Sequence, residues 1–222
     1  MYVNIAIDGP SGAGKSSLAK TLAKELAYIY VDTGALYRAI GLYMLKNNVK
    51  TNDTISVVSK LKEITLKFIY INDIQKVILN GEDVTDFIRT PEVSMAASNV
   101  SAIGEVREFL LHLQRDIADK NNVIMDGRDV GTVILPNADV KIFLTATPEE
   151  RALRRYNELK TIEQNTNYNN VLNELNKRDH NDSTRCIAPL KPADDAVLID
   201  NSEFQPNETF QYALKIIRSR IK

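Results

Sequence analysis

The 222-residue sequence predicts an α/β fold: a parallel sheet flanked by helices, carrying a small antiparallel β insert. Three observations predict it. Short apolar runs alternate with amphipathic helical stretches at both ends of the chain, as in a sheet covered on both faces. Near residue 70 the hydrophobic period switches to two, and the stretch ends in Asn80-Gly81, the strongest short hairpin signal. The composition, 44% hydrophobic and 26% charged, suits one sizeable core with insertions and needs no disulfide or metal staple.

Each element follows in order. Residues 2–7 form an apolar run stopped by Asp8-Gly9-Pro10, a strand. Between Lys15 and Leu26, Leu18, Leu22 and Leu26 recur every four residues beside Ala19 and Ala23, an amphipathic helix. Residues 28–31 are a second strand, and Asp32-Thr33-Gly34 opens a helix to about residue 47. Leu66, Phe68 and Tyr70 alternate with other residues, Asn72-Asp73 marks a turn, and residues 77–79 lead into Asn80-Gly81. Residues of about 64–85 are therefore an antiparallel meander, after which helices are expected at about 91–101 and 103–119. Residues 123–125 and 141–144 read as strands, and Thr147-Pro148-Glu149-Glu150 as a capped helix start. The polar, Asn-rich residues 157–170 are expected as a loop or a loose helix. A strand at 196–199 and a helix at 208–218 close the chain, which has no internal repeat.

Composition excludes several functions. Lys+Arg 28 against Asp+Glu 29 leaves a net charge of −1, so no general attraction to nucleic acid or anionic membrane is expected. Cys186 is the only cysteine, which excludes an internal disulfide and fits a reducing compartment. His112 and His180 lack cysteine partners at zinc spacing. No apolar run approaches the ~18 residues of a membrane span, and the start lacks a basic leader pattern. The expectation is a cytoplasmic enzyme.

Gly9-Pro10-Ser11-Gly12-Ala13-Gly14-Lys15-Ser16 matches G-x-x-x-x-G-K-[ST], between an apolar strand and an amphipathic helix. Glycines let backbone N–H groups turn inward around phosphate oxygens. Lys15 supplies positive charge to the β- and γ-phosphates, the Ser16 hydroxyl suits Mg²⁺, and the helix adds its positive end. This is a P-loop, which specifies nucleoside triphosphate binding but no reaction. Asn176-Lys177-Arg178-Asp179 matches a guanine-reading N-K-x-D, yet it ends a helical pattern instead of following a strand, and no D-x-x-G closes an apolar run.

Three further segments carry chemistry. Asp32-Thr33-Gly34-Ala35-Leu36-Tyr37-Arg38 follows the second strand, so Thr33, Tyr37 and Arg38 face the ligand edge of a parallel sheet. The plainer alternative has Thr33 as an N-cap and Arg38 on a solvated face. Asp126-Gly127-Arg128-Asp129-Val130-Gly131-Thr132 follows another strand, as an anion-binding turn or a self-neutralising salt-bridge loop. Arg178, Asp182 and Arg185 recur at i, i+4 and i+7, on one face if helical, with Asp182 set to orient two arginines or to form part of an exposed ladder.

The combination resembles bacterial cytidylate kinases of the nucleoside monophosphate kinase group. The matching pieces are G-P-S-G-A-G-K-S-S, D-T-G-A-L-Y-R, the stretch from Ala96-Ala97-Ser98 to Val106-Arg107, D-G-R-D-V-G-T, and R-D-x-x-D-S-x-R before Ala188-Pro189-Leu190. They run in order from residue 5 to about 190. The resemblance implies ATP-dependent phosphorylation of CMP or dCMP with Mg²⁺, acting on small nucleotides without nucleic-acid or membrane partners; single-chain activity needs no partner subunit, so a monomer is the default expectation. It implies one P-loop kinase domain over 1–222, a monophosphate-binding region at 33–120 including the meander, and a lid at 148–185. Gly9 to Ser17 would hold ATP, with Ser17 extending the loop, Ser16 on the metal, and Arg154 packing over the nucleotide. Thr33, Tyr37, Arg38 and Arg128 would hold the acceptor phosphate; Ser98, Arg107 and Asp129 would read cytosine. Arg178 and Asp182 would reach the ribose, and Arg185 would support the phosphate region. Lys15, Arg128, Arg178 and Arg185 would be the catalytic cations.

Overall fold

The computed structural model describes residues 2–71, 74–161 and 166–221. Its main sheet has five parallel strands in the order β2-β6-β1-β7-β8: β1 (Asn4–Asp8), β2 (Ile29–Asp32), β6 (Val123–Gly127), β7 (Val140–Thr145) and β8 (Val197–Asp200). The central strand β1 explains the order. Ile5, Ala6 and Ile7 have no exposed surface, which only a strand covered on both faces achieves. Burying Ile5 and Ile7 contributes roughly 1.5–3 kcal/mol each.

Helix α1 (Lys15–Leu26) has the bounds its leucine spacing predicts, with Leu18 and Leu22 buried. It packs with α8 (Pro206–Arg220) against β1 and β7, around Ile142, Leu144, Leu214 and Ile217. Helices α2 (Thr33–Lys46), α4 (Pro91–Val100) and α5 (Gly104–Ala118) enclose a second core with α3 (Thr54–Leu61) and the meander. Helix α3 has no counterpart in the sequence reading, although Asp53 accepts from Ser56 N–H as its N-cap. Eight residues are too few for periodicity to declare it.

The meander is a separate antiparallel sheet, β3 (Leu66–Ile71), β4 (Ile74–Leu79) and β5 (Glu82–Asp83). Asn80 and Gly81 have φ of 49° and 90°, as a tight hairpin turn between right-twisted strands demands. The expected turn at Asn72-Asp73 lies outside the described residues.

One expectation is corrected and one open alternative is resolved. The first strand begins at Asn4 and runs through Asp8, because pairing with both β6 and β7 carries it to the loop. Much of the Asn-rich stretch at 157–170 is helix. α6 (Pro148–Lys160) is capped by Thr147, and α7 (Tyr168–Thr184) is capped by Asn167. Ala152, Leu159, Val171 and Leu175 form the seam between these two helices, so tertiary burial overrides the polar composition. Residues 162–165 of that stretch lie outside the description. No helix among the described residues is long and apolar enough to cross a membrane.

Candidate active site

Strands β1 and β2 finish in an aspartate and β6 carries one just before its last residue, and the parallel register brings Asp8, Asp32 and Asp126 to one edge. Ligands of open parallel sheets bind at this edge. A cleft of about 900 Å³ opens there. Every nominated site residue lines it except Gly9, Pro10 and Ala13, which are buried in the floor of the phosphate loop.

The loop is built by close packing. A Cβ on Gly9 would lie 1.9 Å from the Leu144 carbonyl oxygen, and one on Gly12, whose φ is +76°, would lie 3.0 Å from both Cβ and O of Arg151. No side chain fits at either place. Lys15 Nζ donates to the Pro10 carbonyl at 2.7 Å, folding the ammonium back over the loop. Burial, then the neighbouring Arg128, holds the Lys15 pKa well below the usual lysine range. An anion in the loop would relieve that cost.

The Ser16 hydroxyl donates to Asp126 Oδ2 at 2.8 Å. Asp126 Oδ1 is buried without a hydrogen-bond partner among the described residues. Burial and then Asp32 push the Asp126 carboxyl up to about 6. A hydroxyl beside an under-satisfied buried carboxylate at the foot of a phosphate loop is a donor set suited to a hard divalent cation. Sequence reasoning left Asp126 out of the site. Its signal was present: three apolar strand runs each end in Asp.

Beside Asp126 on the neighbouring strand, Asp32 rather than Thr33 caps α2, accepting from Ala35 N–H at 3.0 Å. The Thr33 hydroxyl instead donates to the Asp126 carbonyl at 2.8 Å. Arg38 is not solvated. It turns back to pair with Asp32 at 2.7 Å, and Arg89 lies 3.9 Å from the same oxygen. Burial pushes the Asp32 pKa up, but Arg38 and Arg89 outweigh it and hold the carboxyl below its usual range.

Arg128 donates through Nε to Asp182 Oδ2 at 3.0 Å, while the Ser98 hydroxyl donates to Asp182 Oδ1 at 3.2 Å. Asp182 thus joins the β6 loop to α4 and α7, instead of bridging Arg178 and Arg185 along one helix face. Arg185 stands just beyond the end of α7, with extended backbone, so it is not on the predicted face. Its guanidinium bonds to Ser101 Oγ at 3.0 Å and approaches Asp129 Oδ1 at 3.5 Å. Arg178 is half-buried, with its Nε buried and unpartnered among the described residues, and desolvation followed by Arg128 pushes its pKa down to about 10.

Asp129 pairs with Arg107, which also donates to the Ser101 carbonyl at 3.1 Å. The Arg107 guanidinium sits 5.5 Å from the centre of the Tyr37 ring. Tyr37 therefore braces Arg107 by a cation–π contact while lining the cleft. The loop carrying Arg128 and Asp129 continues into a π-helical turn, Val130–Ile134, whose Val130 and Gly131 N–H groups donate to Asp8 at 2.8 and 2.7 Å. Desolvation pushes Asp8 up to about 6 against those two bonds.

Arg154 extends from α6 to Asn201, donating to its side chain at 3.1 Å and its carbonyl at 2.9 Å. Asn201 in turn donates to the Ala13 carbonyl at 3.1 Å, so the arginine is tied to the loop. Asn201 follows the last strand and had no motif to mark it.

The arrangement gathers Lys15, Arg38, Arg128 and Arg178 in one cleft, together with a buried Arg107–Asp129 pair. It can hold two phosphorylated ligands end to end. Comparison with known proteins agrees. The model of the cytidylate kinase family matches residues 5–219. The cytidylate kinase of Caldicellulosiruptor bescii is 51% identical over 220 residues, covering 99% of this chain and 97% of that one. That of Carboxydothermus hydrogenoformans is 48% identical over 215 residues, 97% of each chain. A crystal structure of an uncharacterized protein from Eubacterium ventriosum shares the fold, with a TM-score of 0.51, 13% identity, and coverage of 98% of this chain and 99% of that one. With its phosphate loop, its arginine cluster and its full-length relatives all in agreement, the chain belongs to the cytidylate kinase family.

Proposed function

We propose that this protein transfers the γ-phosphoryl group of ATP to CMP, and to dCMP, giving the diphosphate and ADP. The observation that carries the reading is the set of arginines, Arg38, Arg128 and Arg178, that shares one cleft with the Lys15 loop. A nucleotide switch without transfer chemistry has no use for it.

The chemistry needs no general base. The acceptor is a phosphate oxygen already ionised near neutral pH, so catalysis rests on alignment and on positive charge spread over the transferring group. Lys15, with the loop N–H groups, holds the donor phosphates. Arg128 and Arg178 sit between donor and acceptor, and Arg38 holds the acceptor phosphate. Arg185 steadies the Asp129 loop. Arg154 and Asn201 cover the donor nucleotide. Ser98, Arg107 and Asp129 read the base: a carboxylate accepts from the cytosine amino group, and an arginine donates to the ring acceptors. Uracil would present a carbonyl to Asp129 instead, leaving a buried acceptor unpaired, so CMP is preferred over UMP.

Ser16 and Asp126 would hold the Mg²⁺ that accompanies ATP, by hydroxyl and carboxylate. Bound there, the ion would offset charge on the β- and γ-phosphates. The meander belongs to the part that covers CMP, and α6 and α7 to the part that covers ATP. Every group named lies on one chain, which supports a monomer, and small cytosolic nucleotides as substrates favour a cytoplasmic location. The test is ATP-to-ADP turnover against CMP, dCMP, UMP, AMP and GMP. CMP and dCMP should stand well above the rest. Turnover with none of the five, or with UMP equal to CMP, refutes the assignment.

A further inference from the structure

Ser11, in the middle of the phosphate loop, is gripped through both of its flanking peptides by residues from distant helices. Its N–H donates to Asp179 Oδ1 of α7 at 3.3 Å, and its carbonyl accepts from Arg151 Nη1 of α6 at 2.9 Å. Arg151 and Asp179 are themselves an ion pair, and Arg151 Nε donates to the Ala146 carbonyl at 2.9 Å. The Arg151 side chain is buried, and its backbone is what leaves Gly12 no room for a Cβ. Arg178, next to Asp179, reaches the Ser11 hydroxyl at 3.4 Å. None of the phosphate-binding roles described above uses Arg151 or Asp179.

We propose that Arg151 and Asp179 are positioning residues for the donor nucleotide, a clamp that sets the two peptides flanking Ser11 and thereby the shape of the phosphate loop. The inference rests on the phosphotransfer reading above. The physical reason is specific. A phosphate loop works by aiming N–H groups at phosphate oxygens, and a peptide free to rotate would misdirect its neighbours. Spending the Ser11 N–H on a carboxylate and its carbonyl on a guanidinium fixes the two peptide planes that flank its Cα, each with one charge-assisted bond. The same pair ties α6, which carries Arg154, to α7, which carries Arg178. The two arginines thus reach the cleft from helices already referenced to the loop they serve.

The clamp predicts a split between the two substrates. Asp179→Ala should raise the KM for ATP about tenfold and lower kcat, with the KM for CMP held within twofold. Asp179→Asn, whose carbonyl still accepts from Ser11 N–H, should recover part of the loss. Melting by circular dichroism and CMP binding by calorimetry establish that each variant is folded. If Asp179→Ala does not fold, Arg151→Lys serves in its place, since one ammonium cannot reach Ala146, Ser11 and Asp179 together. An unchanged KM for ATP overturns the proposal, whether kcat is retained or falls only with the folded fraction. A parallel rise in both KM values overturns it too, since that reports a general disturbance. Wild-type protein unable to phosphorylate CMP would instead refute the phosphotransfer reading.

Discussion

Asp129→Asn separates base reading from structural support. In the structure the Asp129 carboxylate is buried, pairs with Arg107, and lies 3.5 Å from Arg185. Asparagine keeps one carbonyl acceptor but removes the charge that both arginines face. Breaking a buried pair at one partner costs about 3 kcal/mol at the low end, where the retained carbonyl places this variant. For a chain of this length that lowers Tm by roughly 6–12 °C. The catalytic effect is separate. A hydrogen bond to a charged partner is worth about 1.5–3 kcal/mol, so kcat/KM for CMP should fall roughly 10- to 150-fold. UMP, which gains nothing from the carboxylate, should lose much less, and an asparagine amide can donate to its carbonyl. The assay is coupled ADP formation with CMP and UMP, well below the variant's Tm. If Tm falls while the CMP-to-UMP ratio stays within twofold of wild type, Asp129 only holds Arg107 and Arg185 in place and the base-reading argument fails.

Lys15→Met should lower kcat on the order of 100- to 1000-fold. Without nucleotide it should raise Tm, because it removes a buried ammonium crowded by Arg128 and Arg178; turnover within tenfold of wild type, or an unchanged Tm, contradicts one half of that account. Asp8 gives a pH prediction. Its folded pKa of about 6 lies above the unfolded value of 3.8, so ionising it costs the fold about 3 kcal/mol above pH 6, a cost removed as pH falls from 6 towards 4. Urea unfolding of wild type and Asp8→Asn should therefore show wild type gaining roughly 2 kcal/mol on the variant between pH 7 and pH 4.5. A pH-independent difference would mean that Asp8 is not raised in the fold.

What could be read in the sequence was local. The phosphate loop, the bounds of α1, the Asn80-Gly81 hairpin and the Thr147 cap each depend on residues within a turn or two, where periodicity and turn chemistry decide. The family motifs also pick out Lys15 and arginines that the fold brings to one cleft, in a chain whose net charge is only −1. Its positive charge is gathered in one cleft.

Tertiary structure decided the partners. Arg107 meets Asp129 across 22 residues, Ser16 meets Asp126 across 110, and Asp179 meets Ser11 across 168. The π-helical turn after Asp129 forms because Asp8, 122 residues away, accepts its first N–H groups. The helices at 157–170 survive a polar sequence because their few apolar residues find each other across the α6–α7 seam. A parallel sheet stacks the ends of strands far apart in sequence, and a buried charge takes whichever opposite charge or donor that stacking brings within about 3 Å. Spacing along the chain names the chemical groups. Only the packed sheet edge determines which of them meet.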